Sequence, residues 1–132
     1  MSIKKVFALI VLFSLNFNSI QAIEPDIFVQ STVNRASQIL SENISKEEKM
    51  NKLEIIAKET VDITGVGFYS LGTKRKELDD SQKKKYSKLF EGYFLKSFSS
   101  RLAEYTNPEI DVQSKEVLSE NYTIVNSLLK GT

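Results

Sequence analysis

Apolar residues return every third or fourth position along most of the chain, and only near the C-terminus does the period shorten to two. The segment DIFVQSTVNRASQILSEN sets Val29, Val33, Ala36 and Leu40 at helical spacing, with Asp26 as the expected cap. SKEEKMNKLEIIAKETV opens on Ser45 and Glu48, a capping box, and carries Leu53, Ile56, Ala57 and Val61 on one face of a second helix. VDITGVGFYSLG predicts a short helix between Asp62 as N-cap and Gly72 at the left-handed C′ position. Gly65 and Gly67 each cost that helix about 1 kcal/mol relative to alanine, so it depends on packing. Either the structure there is loose, or the missing side chains admit another element or a ligand to the backbone.

Asp79 with Gln82 forms another cap signature, and the pattern then stays helical to Tyr105 without a proline. A helix from Gln82 to Tyr105 would be about 36 Å long. Beyond Pro108, β-branched residues and alternation predict two antiparallel strands, Ile110–Leu118 and Tyr122–Leu129. Helices first and strands afterwards favour an α+β domain with one long amphipathic helix over a βαβ fold.

The long helix carries the most unusual pattern. Tyr86, Phe90, Phe94, Phe98 and Leu102 recur every fourth residue, while Leu89, Tyr93 and Tyr105 widen the stripe. Each step of four advances about 400°, so the stripe winds around the helix and needs cover on more than one side. The preceding helices and the strands could supply that cover as ordinary core, or part of the stripe could line a pocket for an apolar ligand. Periodicity does not choose between the two.

Two features place the chain outside the cytoplasm. Lys4 and Lys5 precede the apolar run Val6–Phe17, and NSIQA offers Ala22 as the last residue before a cut, the parts of a secretory signal peptide. The run is shorter than the roughly 20 residues of a membrane span. Residues 1–22 are therefore expected to be a signal peptide and residues 23–132 a single domain. Loss of Lys4 and Lys5 leaves 16 basic against 17 acidic residues, a net charge of about −1. No global basic field exists to hold nucleic acid.

The chain has no cysteine and no histidine. Disulfide staples, thiol nucleophiles, histidine triads and the common zinc sites are thereby excluded. Adjacent carboxylates such as Asp79/Asp80 or Glu47/Glu48 point in different directions and serve helix ends. No phosphate loop or nucleophile elbow is present. An enzyme is not expected, nor a metal or cofactor. One charge cluster remains, Lys74, Arg75, Lys76, Lys83, Lys84, Lys85 and Lys88, readable as a solvated face or as a docking surface for acidic protein or lipid head groups.

Taken together, VDITGVGFYSLG, the cap with Gln82, and Tyr86, Phe90, Tyr93, Phe98, Leu102 and Tyr105 in register resemble the MlaC family of exported phospholipid-binding proteins, also called the toluene-tolerance family, and its hopanoid-associated relatives. The similarity runs from about Glu54 to Val112. It implies a periplasmic, monomeric shuttle that carries phospholipid between an outer-membrane lipoprotein complex and an inner-membrane ABC transporter complex, maintaining lipid asymmetry. The acyl chains would lie between helices and a twisted sheet of NTF2-like or cystatin-like kind. Phospholipid is the only ligand implied. Phe90, Phe94, Phe98, Leu102 and Tyr105 would wall the pocket on the long helix, and Val66, Tyr69 and Leu71 on the short one.

Two departures stand out. Arg75 occupies a position where many relatives carry an aromatic residue. The family also continues with further strands and a closing helix, whereas this chain stops at SLLKGT. The sheet is therefore expected to be incomplete, the domain only the N-terminal part of the family's, and the chain a fragment or truncated product that is unstable, aggregation-prone or unable to retain lipid. An exported protein-binding or structural module, with the stripe as plain core, is the competing expectation.

Overall fold

A computed structural model describes residues 22–130. The expected signal peptide, Ala22 apart, lies outside them. Four helices and then a two-stranded antiparallel sheet follow one another in the described residues, the α+β order.

Helix α1 runs Pro25–Ser41, with Pro25 supplying the preset φ of a first helical turn. The cap expected at Asp26 is corrected: Glu24 holds the N-cap position without a side-chain bond, and Asp26 stands inside the first turn. Helix α2, Lys46–Thr60, starts on the expected capping box. The Glu48 N–H donates to the Ser45 hydroxyl at 3.2 Å, and the Ser45 N–H to the Glu48 carboxylate at 3.0 Å. Helix α3, Ile63–Leu71, begins where the Gly65 N–H donates to the Asp62 carboxylate at 3.0 Å. It ends at Gly72, whose φ of +57° favours a residue without Cβ. A 3₁₀ turn, Gly72–Lys76, follows. Helix α4, Asp80–Leu102, starts on the Asp79–Gln82 box and stops one turn short of Tyr105. No helix of the described residues is long and apolar enough to cross a membrane.

Helix α2 is the hub. One end places Leu53 against Leu40 of α1 and Ala103 after α4, with Ala36, Ile39, Met50 and Leu102 around them. The other end brings Ala57 to Ile63 of α3 and Leu95 of α4, flanked by Val61, Phe90, Phe94 and Phe98. Ser99 is fully buried on α4, and its hydroxyl donates to the Glu54 carboxylate at 3.3 Å. A small residue there lets α4 lie close to α2 while its one polar group stays partnered.

Strands β1, Glu109–Ser119, and β2, Tyr122–Lys130, form a hairpin in register from Glu109↔Lys130 to Ser119↔Tyr122. Between Val112 and Lys115 two residues of β1, Gln113 and Ser114, oppose one of β2, Asn126, a bulge. Lys115, just past it, reaches Glu24 at 2.8 Å and Asp26 at 2.9 Å. The hairpin packs mainly on α1. Its apolar residues Val117, Leu118 and Tyr122 remain exposed.

Candidate lipid-binding face

The residues that shape the site begin with a glycine. A Cβ at Gly67 would stand 2.8 Å from Cδ1 of Phe90, so the bare backbone of α3 is what allows the Phe90 ring to lie against it. Of the two readings of that glycine, close approach of another element is the one observed. One turn earlier on α4 the Tyr86 hydroxyl donates to the Gly67 carbonyl at 3.1 Å, and the Ser70 hydroxyl donates to the same oxygen at 2.7 Å. Tyr86 and Phe90 thus grip α3 from two sides of Gly67.

From this crossing the rings continue as a ladder. Phe68 and Tyr86 have centroids 6.1 Å apart, Tyr86 and Phe90 5.8 Å, Phe90 and Phe94 6.1 Å, and Phe94 and Phe98 5.7 Å. The angle between planes falls from 31° at the Phe68 end to 8° at the Phe98 end. Steps of four residues on a helix bring neighbouring rings into such offset stacks, each adding about 0.5–1.5 kcal/mol beyond area burial. Phe90, Phe94 and Phe98 rest on the buried trio of Ala57, Ile63 and Leu95, yet all three are only half-buried. One side of the ladder is core and the other is open.

The remaining expected residues fall elsewhere. Leu102 continues the row but packs into the Leu40–Leu53–Ala103 cluster. Tyr105 lies past the end of α4, half-buried, its N–H donating to the Leu102 carbonyl at 3.1 Å. On α3, Leu71 is half-buried, Val66 is 42% exposed and Tyr69 82% exposed. Phe68 is the α3 residue that joins the rings, and with Tyr86 it was missing from the expected wall. Its neighbour Gly67 was the available signal, because the residue beside a close-approach glycine flanks the contact. Leu89 and Tyr93, which broaden the stripe in sequence, face solvent at 64% and 71% exposure.

The face has no reactive groups. No cluster of three or more His, Cys, Asp or Glu residues suited to a metal ion occurs among the described residues. The row of stacked rings presents a partly accessible apolar surface along α4.

The described residues form an α+β domain with a row of stacked rings along its longest helix. The chain belongs to the MlaC family: the family model described as MlaC protein matches residues 30–132. That span reaches beyond Glu54 and Val112 in both directions. No curated protein and no solved structure matches the chain.

Proposed function

We propose that this protein is a periplasmic phospholipid carrier, exported by its N-terminal leader, that binds an acyl chain along the Phe90–Phe94–Phe98 face without catalysing a reaction. The observation that carries the reading is membership of the MlaC family, supported by a ladder of stacked rings that is only partly covered. Covering hydrocarbon gains about 0.8 kcal/mol per methylene, so roughly ten covered groups gain about 8 kcal/mol. Association costs of about 4–15 kcal/mol absorb much of that, so the protein must cover most of a chain to keep it. The partners in this reading are an outer-membrane lipoprotein complex that loads or receives lipid and an inner-membrane ABC transporter complex at the other end, the traffic serving lipid asymmetry, with the carrier itself a monomer.

Native mass spectrometry of the exported protein, followed by lipid extraction, tests this. Phospholipid is expected to co-purify with the wild type and with Tyr93→Ser, and to be lost from Phe94→Ser at unchanged secondary structure. A lipid-free wild type would overturn the reading. A second reading, an exported protein-binding module, is favoured by the exposed apolar residues of the hairpin, since contiguous exposed apolar surface marks interaction sites. It predicts that Leu118→Ser/Tyr122→Ser abolishes partner capture and leaves lipid content unchanged.

A further inference from the structure

At the α3 end of the ladder a surface pocket of about 340 Å³ is lined by Phe68, Arg75, Lys76 and Lys83. Phe68 is also the first ring of the ladder, so the pocket and the row of rings share that side chain. Of the nearby acids, Asp80 stands exposed in the first turn of α4, three residues before Lys83, and the other two are engaged elsewhere. Glu77 pairs with Lys74 at 3.0 Å, and the Asp79 carboxylate accepts the Gln82 N–H at 2.8 Å as a helix cap. Among the described residues neither Arg75, Lys76 nor Lys83 has a carboxylate within ion-pair distance. Three cations gathered around one concavity repel each other until an anion enters, and an aromatic wall favours an anion attached to hydrocarbon over a fully hydrated one. A guanidinium fork matches phosphate oxygens, and the two ammonium groups add point charge.

We propose that this pocket seats the phosphate of a phospholipid head group, with an acyl chain leaving it over Phe68 and Tyr86 toward Phe98. This rests on the carrier reading and adds to it the polarity of the bound lipid. Tyr86 and Phe98 lie twelve residues apart on α4, about 18 Å along the helix axis. Half the hydrocarbon thickness of a bilayer is about 15 Å, so one acyl chain fits that run. The seat favours a head group of net negative charge, such as phosphatidylglycerol, over a zwitterionic one whose own ammonium opposes the three cations.

The test uses the full chain with sedimentable vesicles of pure phosphatidylglycerol or pure phosphatidylcholine, measuring lipid carried into the supernatant. The wild type is expected to take phosphatidylglycerol preferentially. Each cation near an anionic head group contributes about fivefold, so Arg75→Gln/Lys76→Gln/Lys83→Gln should reduce that uptake by on the order of 100-fold at low salt. The same variant should keep its uptake of phosphatidylcholine. Lys84→Gln/Lys85→Gln/Lys88→Gln removes equal charge outside the pocket lining and should keep most of the preference. Equal effects of the two triple variants would replace the seat by a diffuse field. Equal uptake of both lipids by the wild type would overturn the seat while leaving the carrier intact, and uptake of neither would overturn the carrier itself. Inorganic phosphate at millimolar concentration is expected to leave uptake unchanged. Complete competition by it would make the pocket a free-anion site.

Discussion

Replacing Gly67 by alanine tests the α3–α4 crossing directly. The new methyl carbon would lie 2.8 Å from Cδ1, 3.0 Å from Cγ and 3.3 Å from Cε1 of Phe90. Carbon pairs prefer about 3.5–4.0 Å, so the ring or the helix must retreat by up to about 1 Å. Such overpacking costs about 1–3 kcal/mol, while alanine gains about 1 kcal/mol over glycine in a helix interior. The net expectation is a loss of about 0–2 kcal/mol. Gly92→Ala supplies the reference, since a Cβ there meets no atom within 4 Å and the residue also lies inside a helix. It should therefore stabilise by the propensity gain alone, about 1 kcal/mol. The difference between the two variants isolates the packing cost at about 1–3 kcal/mol. In urea, with a slope of about 1–3 kcal/mol/M, the two midpoints should separate by about 1 M. Phe90→Leu should shrink the penalty at Gly67, a coupling that a double-mutant cycle reads out. Equal stabilisation by Gly67→Ala and Gly92→Ala would refute the close approach, and with it the anchoring of the ladder on α3.

Leu53 is 1% exposed where α1, α2 and the end of α4 meet, so Leu53→Ala should cost about 2–5 kcal/mol by denaturant unfolding. Ser45→Ala removes a hydroxyl that accepts the Glu48 N–H, and should cost about 1 kcal/mol in the same assay. The Lys115 ammonium holds the Asp26 carboxyl below the usual aspartate range, and the two carboxylates of Glu24 and Asp26 push Lys115 above the usual lysine range. A carboxyl whose pKa is lower folded than unfolded stabilises fully above its unfolded value and loses that contribution as pH falls through the folded one. The raised Lys115 stabilises fully below the ordinary lysine value and loses its share as pH rises through its folded one. Lys115→Met should therefore lower the Tm at neutral pH, and the gap from wild type should close below the aspartate range.

Most element boundaries were legible because their causes are local. Ser45 with Glu48, Asp79 with Gln82, and Asp62 each mark a helix start through bonds spanning a few residues and are found in place. Gly72 ends its helix as the C-cap, one position before the expected C′, with φ +57° and ψ −130° outside the left-handed helical region. The ring row was equally legible, since a spacing of four fixes a helix face. Which flank of that face is covered was not. Leu89 and Tyr93 read as extensions of the apolar stripe and prove exposed, because periodicity reports a helix's own surface and says nothing about where its neighbours lie. Asp26 was misread for a related reason. A carboxylate at a helix start looks like a cap, and the lysine that claims it is 89 residues away in sequence. The hairpin packs mainly on α1, a long-range placement that no local pattern reports.

The double ion pair of Lys115 also ties the start of α1 to a distant part of the chain. The C-terminal half of α1 is secured by Leu40 against Leu53, thirteen residues on, whereas its N-terminal turn waits for a partner about ninety positions later. Loop closure grows with the logarithm of length, and from a fully unfolded chain the longer closure costs roughly 2 kcal/mol more. The two ends of one helix are thus held by different parts of the chain. Faster amide exchange in the first turn of α1 than in its C-terminal half, with the difference widened by Lys115→Met, is the trace that this distant fastening should leave.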